Sequence, residues 1–366
     1  MVDIKQITSF LDSVAPPSYQ EIYDNAGLIC GNPSIKCTSI ICTLDATEEV
    51  ILEAKQKGCN LVVAHHPIIF GGLKRFTGKT YVERAVITAI KNDIAIYAIH
   101  TNLDNILTGV NGKMAEKLGL INQQILLPKQ HTLMKLIVFV PVAATEKIRQ
   151  ALFDAGGGHI GNYSECSFKS NGLGTFKPEK DANPVQGELG KREEITEDKI
   201  EVIFPVYLKN NIINAMKQAH PYEEVAFDLV ALSNELQTIG SGLVGELAEP
   251  LDELSFLQLL KKQFHLSALR HTPFTGKKVK KIALCGGAGS FLIKHALSAG
   301  ADVFVTADVK YHEFFDAENK MIIADIGHWE SEQFTIDLLF EVLQAKFPTF
   351  AVQKSEVRTN PVYYFA

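Results

Sequence analysis

The sequence predicts an α/β protein with a two-lobed body of βαβ-type units, interrupted by a module of a different, α+β kind. Three observations carry that expectation. A strand, helix, glycine, strand pattern occurs once in each half of the chain; the two copies align without a gap; and the stretch between them alternates strands and helices in another order. With 366 residues, 46% hydrophobic and 21% charged, the chain has apolar content for more than one core at ~150 residues per domain.

Taken in order, Ile4, Ile7, Phe10 and Leu11 recur at helical spacing, and Ala15-Pro16-Pro17 ends that helix. Residues 23–28 are a turn-rich approach to the first strand, expected over 39–43. A helix over 46–57 stops at Gly58, and a strand over 60–64 follows with the unbroken apolar run of a parallel strand buried on both faces. A helix over 82–92 and a strand over 94–99 extend this unit. Late in the chain the grammar returns as a strand over 281–285, a glycine turn at 286–289, a helix to Ser298, Gly300 and a strand over 302–306. At a constant offset Ile40 falls on Ile282, Gly58 on Gly300 and His66 on Asp308, which reads as an internal duplication. A strand over 321–324 and a helix over 334–345 close this half.

The intervening stretch reads as a strand over 133–140, a helix over 144–154, strand signals over 163–175, a strand over 200–208, a helix over 211–219 and a strand over 226–232. That β-α-β-β-α-β order is ferredoxin-like. The charged stretch 177–201 is expected to be a solvated loop or hairpin region. The expected domains are therefore an α/β lobe over 1–129, the insert over 130–235 and a second α/β lobe over 236–366.

Thirty-six Lys plus Arg against 42 Asp plus Glu give a formal charge of −6, which supplies no whole-chain drive toward nucleic acid. The six cysteines lie mostly in apolar runs with no Cys-x-x-Cys pair, arguing against a disulfide framework or a structural zinc knuckle. No apolar stretch approaches the ~18 residues of a membrane span, and the first residues lack a signal-peptide pattern. A cytoplasmic protein is expected.

Ligands of open parallel sheets gather at the carboxyl ends of strands, and those ends are rich in metal-binding side chains. One strand ends in His65-His66, the next in His100 with Asp104 four residues on, and a strand of the second half leads to His328 and Glu332. A single histidine at a strand end is commonly just a hydrogen-bonded residue. Two in a row reach one site only where the strand breaks, which Pro67 would enforce. His328 and Glu332, if they open a helix, lie one turn apart on one face. More than four imidazole and carboxylate groups exceed what one tetrahedral ion uses, so two divalent ions per chain, of zinc, iron or manganese, are the natural reading.

Five stretches then make a resemblance specific: Asp24-Asn25-Ala26-Gly27-Leu28, Ala64-His65-His66-Pro67, His100 through Asp104, Cys285 through Gly289, and Gly327-His328 through Glu332. The chain resembles the NGG-one-interacting-factor-three-like family, whose bacterial members are often labelled GTP cyclohydrolase type 2 homologues. Through Gly161-Asn162-Tyr163 and His220 through Glu224 the insert resembles the CutA/PII-like domain of the long members. The resemblance implies a dinuclear site built from His65, His66, Asp104, His328 and Glu332, and a homo-oligomer in the form of a hexameric ring. Where the family often has a second histidine or a small residue, this chain has Trp329-Glu330-Ser331; Glu330 is expected to be a solvated acid at a helix start.

Two such ions favour hydrolysis by a metal-activated water, and a GTP cyclohydrolase-like reaction on a small nucleotide would also need an acid to protonate the leaving nitrogen. His100 is the candidate for that acid, or else orients a ligand. The glycine turn, Gly287 and Gly289 in particular, either cradles a phosphate or merely permits a tight βα turn. Lys310, Tyr311 and His312 are candidate substrate contacts. Cys285 is expected to be inert core, and His220 a cation favoured by the end of its helix. The alternative reading is a non-catalytic metal-binding or partner-binding hub.

Overall fold

The computed structural model describes residues 2–365. The chain divides into two compact units, Met1–Pro128 with Gln237–Ala366, and Lys129–Leu236. Strands β1 (Gly27–Cys30), β2 (Ile40–Asp45), β3 (Leu61–His66), β4 (Ala95–Ala98) and β5 (Ile121–Pro128) come from the first segment of the larger unit. The smaller unit holds β6 (Leu133–Pro141), β7 (Phe168–Phe176), β8 (Glu193–Pro205) and β9 (Phe227–Ala231). The chain then returns to the larger unit for β10 (Gly240–Asp252), β11 (Arg270–His271), β12 (Lys278–Ala288), β13 (Val303–Ala307), β14 (Ile322–Asp325) and β15 (Val352–Lys354).

The larger unit is built on two sheets, ordered β1-β4-β3-β2-β15 and β11-β14-β13-β12-β10-β5. Their central strands are parallel, with mainly apolar buried stretches that end in polar residues such as Asp45, His65-His66 and Asp325, as strands covered by βαβ crossovers have. β2 pairs β3 with Ile40 opposite Leu61, and β12 pairs β13 with Ile282 opposite Val303. β3 pairs β4 with Leu61 opposite Ala95, and β13 pairs β14 with Val303 opposite Ile322. In each sheet a short antiparallel strand, β1 or β11, flanks the third parallel strand. The helix Glu48–Gln56, capped by the Thr47 side chain, crosses from β2 to β3, and Ile293–Ser298 makes the corresponding crossover from β12 to β13. Apolar side chains pack against these strands, for example Val50, Ile51 and Val86 on the first sheet and Phe256 and Leu260 on the second.

The smaller unit is a four-stranded antiparallel sheet, β7-β8-β6-β9, with the helices Thr145–Asp154 and Lys209–Ala219 burying Ile148, Leu152, Ile212 and Met216 against Leu136, Val138, Ile200 and Val202. The expectation of a solvated stretch over 177–201 needs correction at its far end, because β8 begins at Glu193. Inward and outward residues alternate along it, so Glu197, Lys199 and Glu201 lie on the outer face while Ile200 and Val202 are buried.

Candidate metal centre

The carboxyl ends of β3 and β4 and the short helix His328–Glu332 after β14 bring four imidazoles and several carboxylates together. β3 does not break before its histidines; both belong to the strand, which stops at Pro67. Their rings nonetheless lie only 4.9 Å apart, centre to centre.

Every imidazole is anchored through Nδ1. His65 is fully buried and its Nδ1 is 2.8 Å from the carbonyl of Ile99; a carbonyl only accepts, so Nδ1 carries the proton and Nε2 keeps a lone pair. His66 Nδ1 is 2.7 Å from Asp45 Oδ1, His100 Nδ1 is 2.8 Å from Asp24 Oδ1 and His328 Nδ1 is 2.6 Å from Asp308 Oδ2. Asp24 also accepts from the Thr101 amide at 3.0 Å and from the Thr101 hydroxyl. These bonds, won against burial, hold its carboxyl down to about 2.

Glu332 sits at the middle. Its Oε2 is 2.9 Å from His66 Nε2 and 3.2 Å from His328 Nε2, and its Oε1 is 3.9 Å from His65 Nε2. Burial disfavours the charged carboxylate, but the neighbouring imidazoles outweigh it and keep Glu332 well below the usual range. Burial likewise opposes protonation of His66, yet the Asp45 and Glu332 carboxylates raise it to about 10. For His328 the carboxylates of Glu332 and Asp308 overcome burial and raise it to about 9. His65, more deeply placed, is pushed by burial down to about 4. Burial and the adjacent Glu332 charge push the Asp104 carboxyl well above its usual range.

His65 Nε2 and Asp104 Oδ1, 3.6 Å apart, are buried and have no hydrogen-bond partner. Orphaned polar atoms of this kind are rare, because each costs the desolvation of its group. A divalent cation would satisfy both. Two groups of side chains have donor atoms mutually within 4.8 Å, His65 with His66 and His100, and His66 with His328 and Glu332. Imidazole and carboxylate donors fit borderline divalent metals. The five side chains of the expected ligand set thus converge, and His100 stands with them. Of the carboxylates behind the histidines, Asp24 stands in a family stretch and Asp308 in the internal alignment, but the sequence assigned no role to either, and Asp45 was not singled out. Asp45, which closes β2 opposite His66, was findable from the pairing of adjacent strand ends.

The glycine turn is not the anion cradle it might have been. Its amides are already given to side chains, Gly286 N to Asn111 Oδ1 at 2.9 Å, Gly287 N to Ser331 Oγ at 2.9 Å and Gly289 N to Thr306 Oγ1 at 3.0 Å. Gly287 serves a different purpose. Its φ is +62°, and a Cβ there would lie 2.4 Å from Glu332 Oε1, so only glycine lets the strand end approach that carboxylate.

A cavity of about 660 Å³ opens over the centre, lined by His66, His100, Asp104, His328 and Glu332. Lys310 and His312 do not line it: the chain leaves β13 through Asp308 in a left-handed conformation (φ 54°), and the Lys310 amide is taken by Glu313 Oε2 at 2.8 Å. Cys285 lines the cavity, but burial pushes its thiol far above the usual range, consistent with an inert side chain. Glu330 is not solvated; it is 7% exposed and accepts from Asn360 Nδ2 at 2.9 Å. Nor is His220 a helix-end cation. It is buried, with Nε2 3.0 Å from the Phe139 carbonyl and Nδ1 accepting from the Tyr222 amide at 3.1 Å, and burial lowers its pKa.

The family model described as Duf34/NIF3 (NGG1p interacting factor 3) matches residues 2–361. The chain belongs to the Duf34/NIF3 family. A relative from Halalkalibacterium halodurans named GTP cyclohydrolase 1 type 2 homolog is 42% identical over 352 residues, 95% of each chain. A Bacillus subtilis relative of the same name is 38% identical over 330 residues, covering 90% of this chain and 88% of that one. Among solved structures, a Bacillus cereus protein related to NIF3 superposes with a TM-score of 0.86 at 38% identity, over 100% of this chain and 99% of that one. A Staphylococcus aureus protein gives 0.78 at 29% identity, again over 100% and 99%. The Duf34/NIF3 assignment therefore spans both segments of the larger unit and the stretch between them.

Proposed function

We propose that this Duf34/NIF3 protein is a hydrolase dependent on two divalent metal ions, held by His65, His66, Asp104, His328 and Glu332. The observation that carries the reading is the pair of orphaned buried atoms, His65 Nε2 and Asp104 Oδ1, beside a carboxylate already shared by two imidazoles. Ions bound there would acidify coordinated water and draw charge from a developing oxyanion. The chain's own residues supply the rest. Asp24, Asp45 and Asp308 fix the histidines in one tautomer and orientation. His100, with Nδ1 held by Asp24, lines the cavity and serves as the proton carrier for the leaving group. The relatives' names suggest a nucleotide-like substrate.

The test is elemental analysis of protein purified without chelators, together with turnover of a panel of nucleotides, phosphoesters and cyclic amides before and after metal removal. Close to two ions per chain and metal-dependent hydrolysis are expected. Stoichiometric metal with no turnover on any substrate would favour the binding-hub reading instead, and one ion or none would remove the dinuclear assignment.

We further propose that the larger unit is an internal duplication carrying a ferredoxin-like insert over about 130–235. The equal strand registers of its two sheets support the first part, and the strand order of the smaller sheet supports the second. A cytoplasmic location and assembly into a hexameric ring complete the reading. The six cysteines are all free thiols, and no helix among the described residues is long and apolar enough to cross a membrane.

A further inference from the structure

The smaller unit has a cavity of its own, lined only by its own residues. It encloses about 430 Å³ beside the outer face of the sheet, under the loop 178–186 and next to the stretch 222–226 that leads into β9. That volume lies within the range of small-molecule sites. Its body is apolar, with Phe139, Phe176, Pro184 and Val185 in the wall, and its charged groups are of one sign. Glu197, Glu223 and Glu224 line it, and among the described residues no lysine, arginine or histidine does.

Glu197 is built into this wall. β7 has glycine at position 174, and a Cβ there would lie 2.1 Å from Glu197 Oε2, so the missing side chain is what lets the carboxylate lie across that strand. The basic side chains at neighbouring positions of the sheet are already engaged. Lys135 and Lys199 pair with Glu201 at 2.9 and 2.6 Å, and Lys169 pairs with Asp198 at 3.2 Å. Burial raises the Glu197 carboxyl above its usual range, and the nearby Tyr222 hydroxyl works against that rise. The Tyr222 oxygen is itself buried and makes no hydrogen bond of ordinary length, a condition that costs the desolvation of the group. A phenol can both donate and accept, so an N–H donor beside it would serve it as well as the carboxylate. An anion entering the cavity would meet three carboxylates, and a wholly apolar molecule would leave Glu197 and Tyr222 unsatisfied.

We propose that this cavity binds a small organic ligand carrying a primary ammonium on a hydrocarbon stem. The ammonium donates to Glu197 and to Tyr222 Oη, in charge-assisted bonds, and the stem lies against Phe139 and Phe176. Glu223 and Glu224, exposed at the same cavity, favour the approach of a cation. The site is independent of the metal centre and of the hydrolytic reading.

Calorimetric titration of the full chain, as isolated and after chelation, with 1-aminohexane and with the neutral 1-hexanol is the experiment. The amine should bind once per chain, about tenfold tighter than the alcohol or more, and equally in both metal states. Glu197→Gln keeps the shape of the side chain and removes its charge; it should weaken the amine by about tenfold or more, the scale of a hydrogen bond to a charged group, and leave the alcohol unchanged. Gly174→Ala should also weaken the amine, because its methyl displaces the carboxylate. Both variants should keep the thermal melting and the metal content of the parent, which separates loss of the site from loss of the fold. An alcohol bound as tightly as the amine would overturn the proposal, as would a folded Glu197→Gln variant that binds the amine as before. Amine binding that disappears on chelation would place the amine at the metal centre and overturn it too. A fall in particle mass on adding the amine would identify the occupant as a lysine of a second copy, against a free ligand.

Discussion

Metal uptake by this centre should be strongly coupled to pH, because protons occupy the places that ions would take. In the metal-free protein His66 is held up to about 10 and His328 to about 9. In each the Nε2–H lies against Glu332 while Nδ1–H is bonded to its own aspartate. At neutral pH both are cationic, and both must lose the Nε2 proton before that nitrogen can bind a metal. Loading therefore releases two protons, and the apparent affinity should rise by about two log units per pH unit, or about ten-thousandfold from pH 6 to pH 8. Asp104, whose carboxyl is also raised, adds to the slope at the acid end. The assay is competition for zinc against a chromophoric chelator of known proton affinity, paired with calorimetry in buffers of different ionisation heat to count the protons. Asp45→Asn should flatten the upper part of the profile, because His66 loses one of the two carboxylates that hold its charge. An affinity unchanged between pH 6 and pH 8 would refute the protonated cluster and, with it, the placement of His66 and His328 as ligands.

Other outcomes follow from single contacts. Gly287→Ala should keep the fold but lower metal content, because the new methyl displaces the Glu332 carboxylate and the left-handed backbone adds strain of about 1–3 kcal/mol; elemental analysis and thermal melting separate the two effects. His100→Gln should retain the metal content and lower turnover, whereas loss of metal would make His100 a ligand. In the smaller unit, His220 is buried in its neutral form, with a folded pKa below the ordinary 6.5. The unfolded chain therefore binds the proton more readily, and the contribution of His220 is present above about pH 6.5 and lost as the pH falls below it. Denaturant titrations should show that loss, and His220→Gln should reduce it. Replacing residues 129–239 by a two-residue turn should leave a soluble, metal-binding protein, since Pro128 and Gly240 already face each other across the β5–β10 ladder.

The parallel strands of the larger unit were legible because each holds a short, mainly apolar run bounded by turn or polar residues, and the internal alignment predicts the register seen at Ile40–Leu61 and Ile282–Val303. β1, β5, β10 and β15 escaped notice. They are edge or antiparallel strands, either very short, as β1 and β15 are, or mixed in polarity, as in the Ile-Asn-Gln-Gln opening of β5, so their place is set by the ladder they join and not by their own pattern. The histidines were visible from position alone, since strand ends in a parallel sheet converge. What could not be read was what lies behind them. Asp24 reaches His100 from 76 residues away and Asp308 reaches His328 from 20, and neither separation carries a helical or strand period. Glu330 was misread for the same reason: its partner Asn360 comes from the final stretch of the chain, 30 residues on.

Glu332 and His66 are separated by 266 positions in the chain. During synthesis the two adjacent histidines and Asp104 emerge long before the carboxylate that joins them to His328. Until then the first lobe presents only part of a donor set, open on the side that the second lobe will close. On the proposed ligand set, an ion caught early would have three or four donors and leave easily, whereas one caught after the helix His328–Glu332 has folded would be held from both halves at once. If the centre holds ions as proposed, the order of translation would make occupancy a checkpoint on completion, because a chain truncated before its last forty residues lacks His328, Glu332 and the β15 edge of the first sheet.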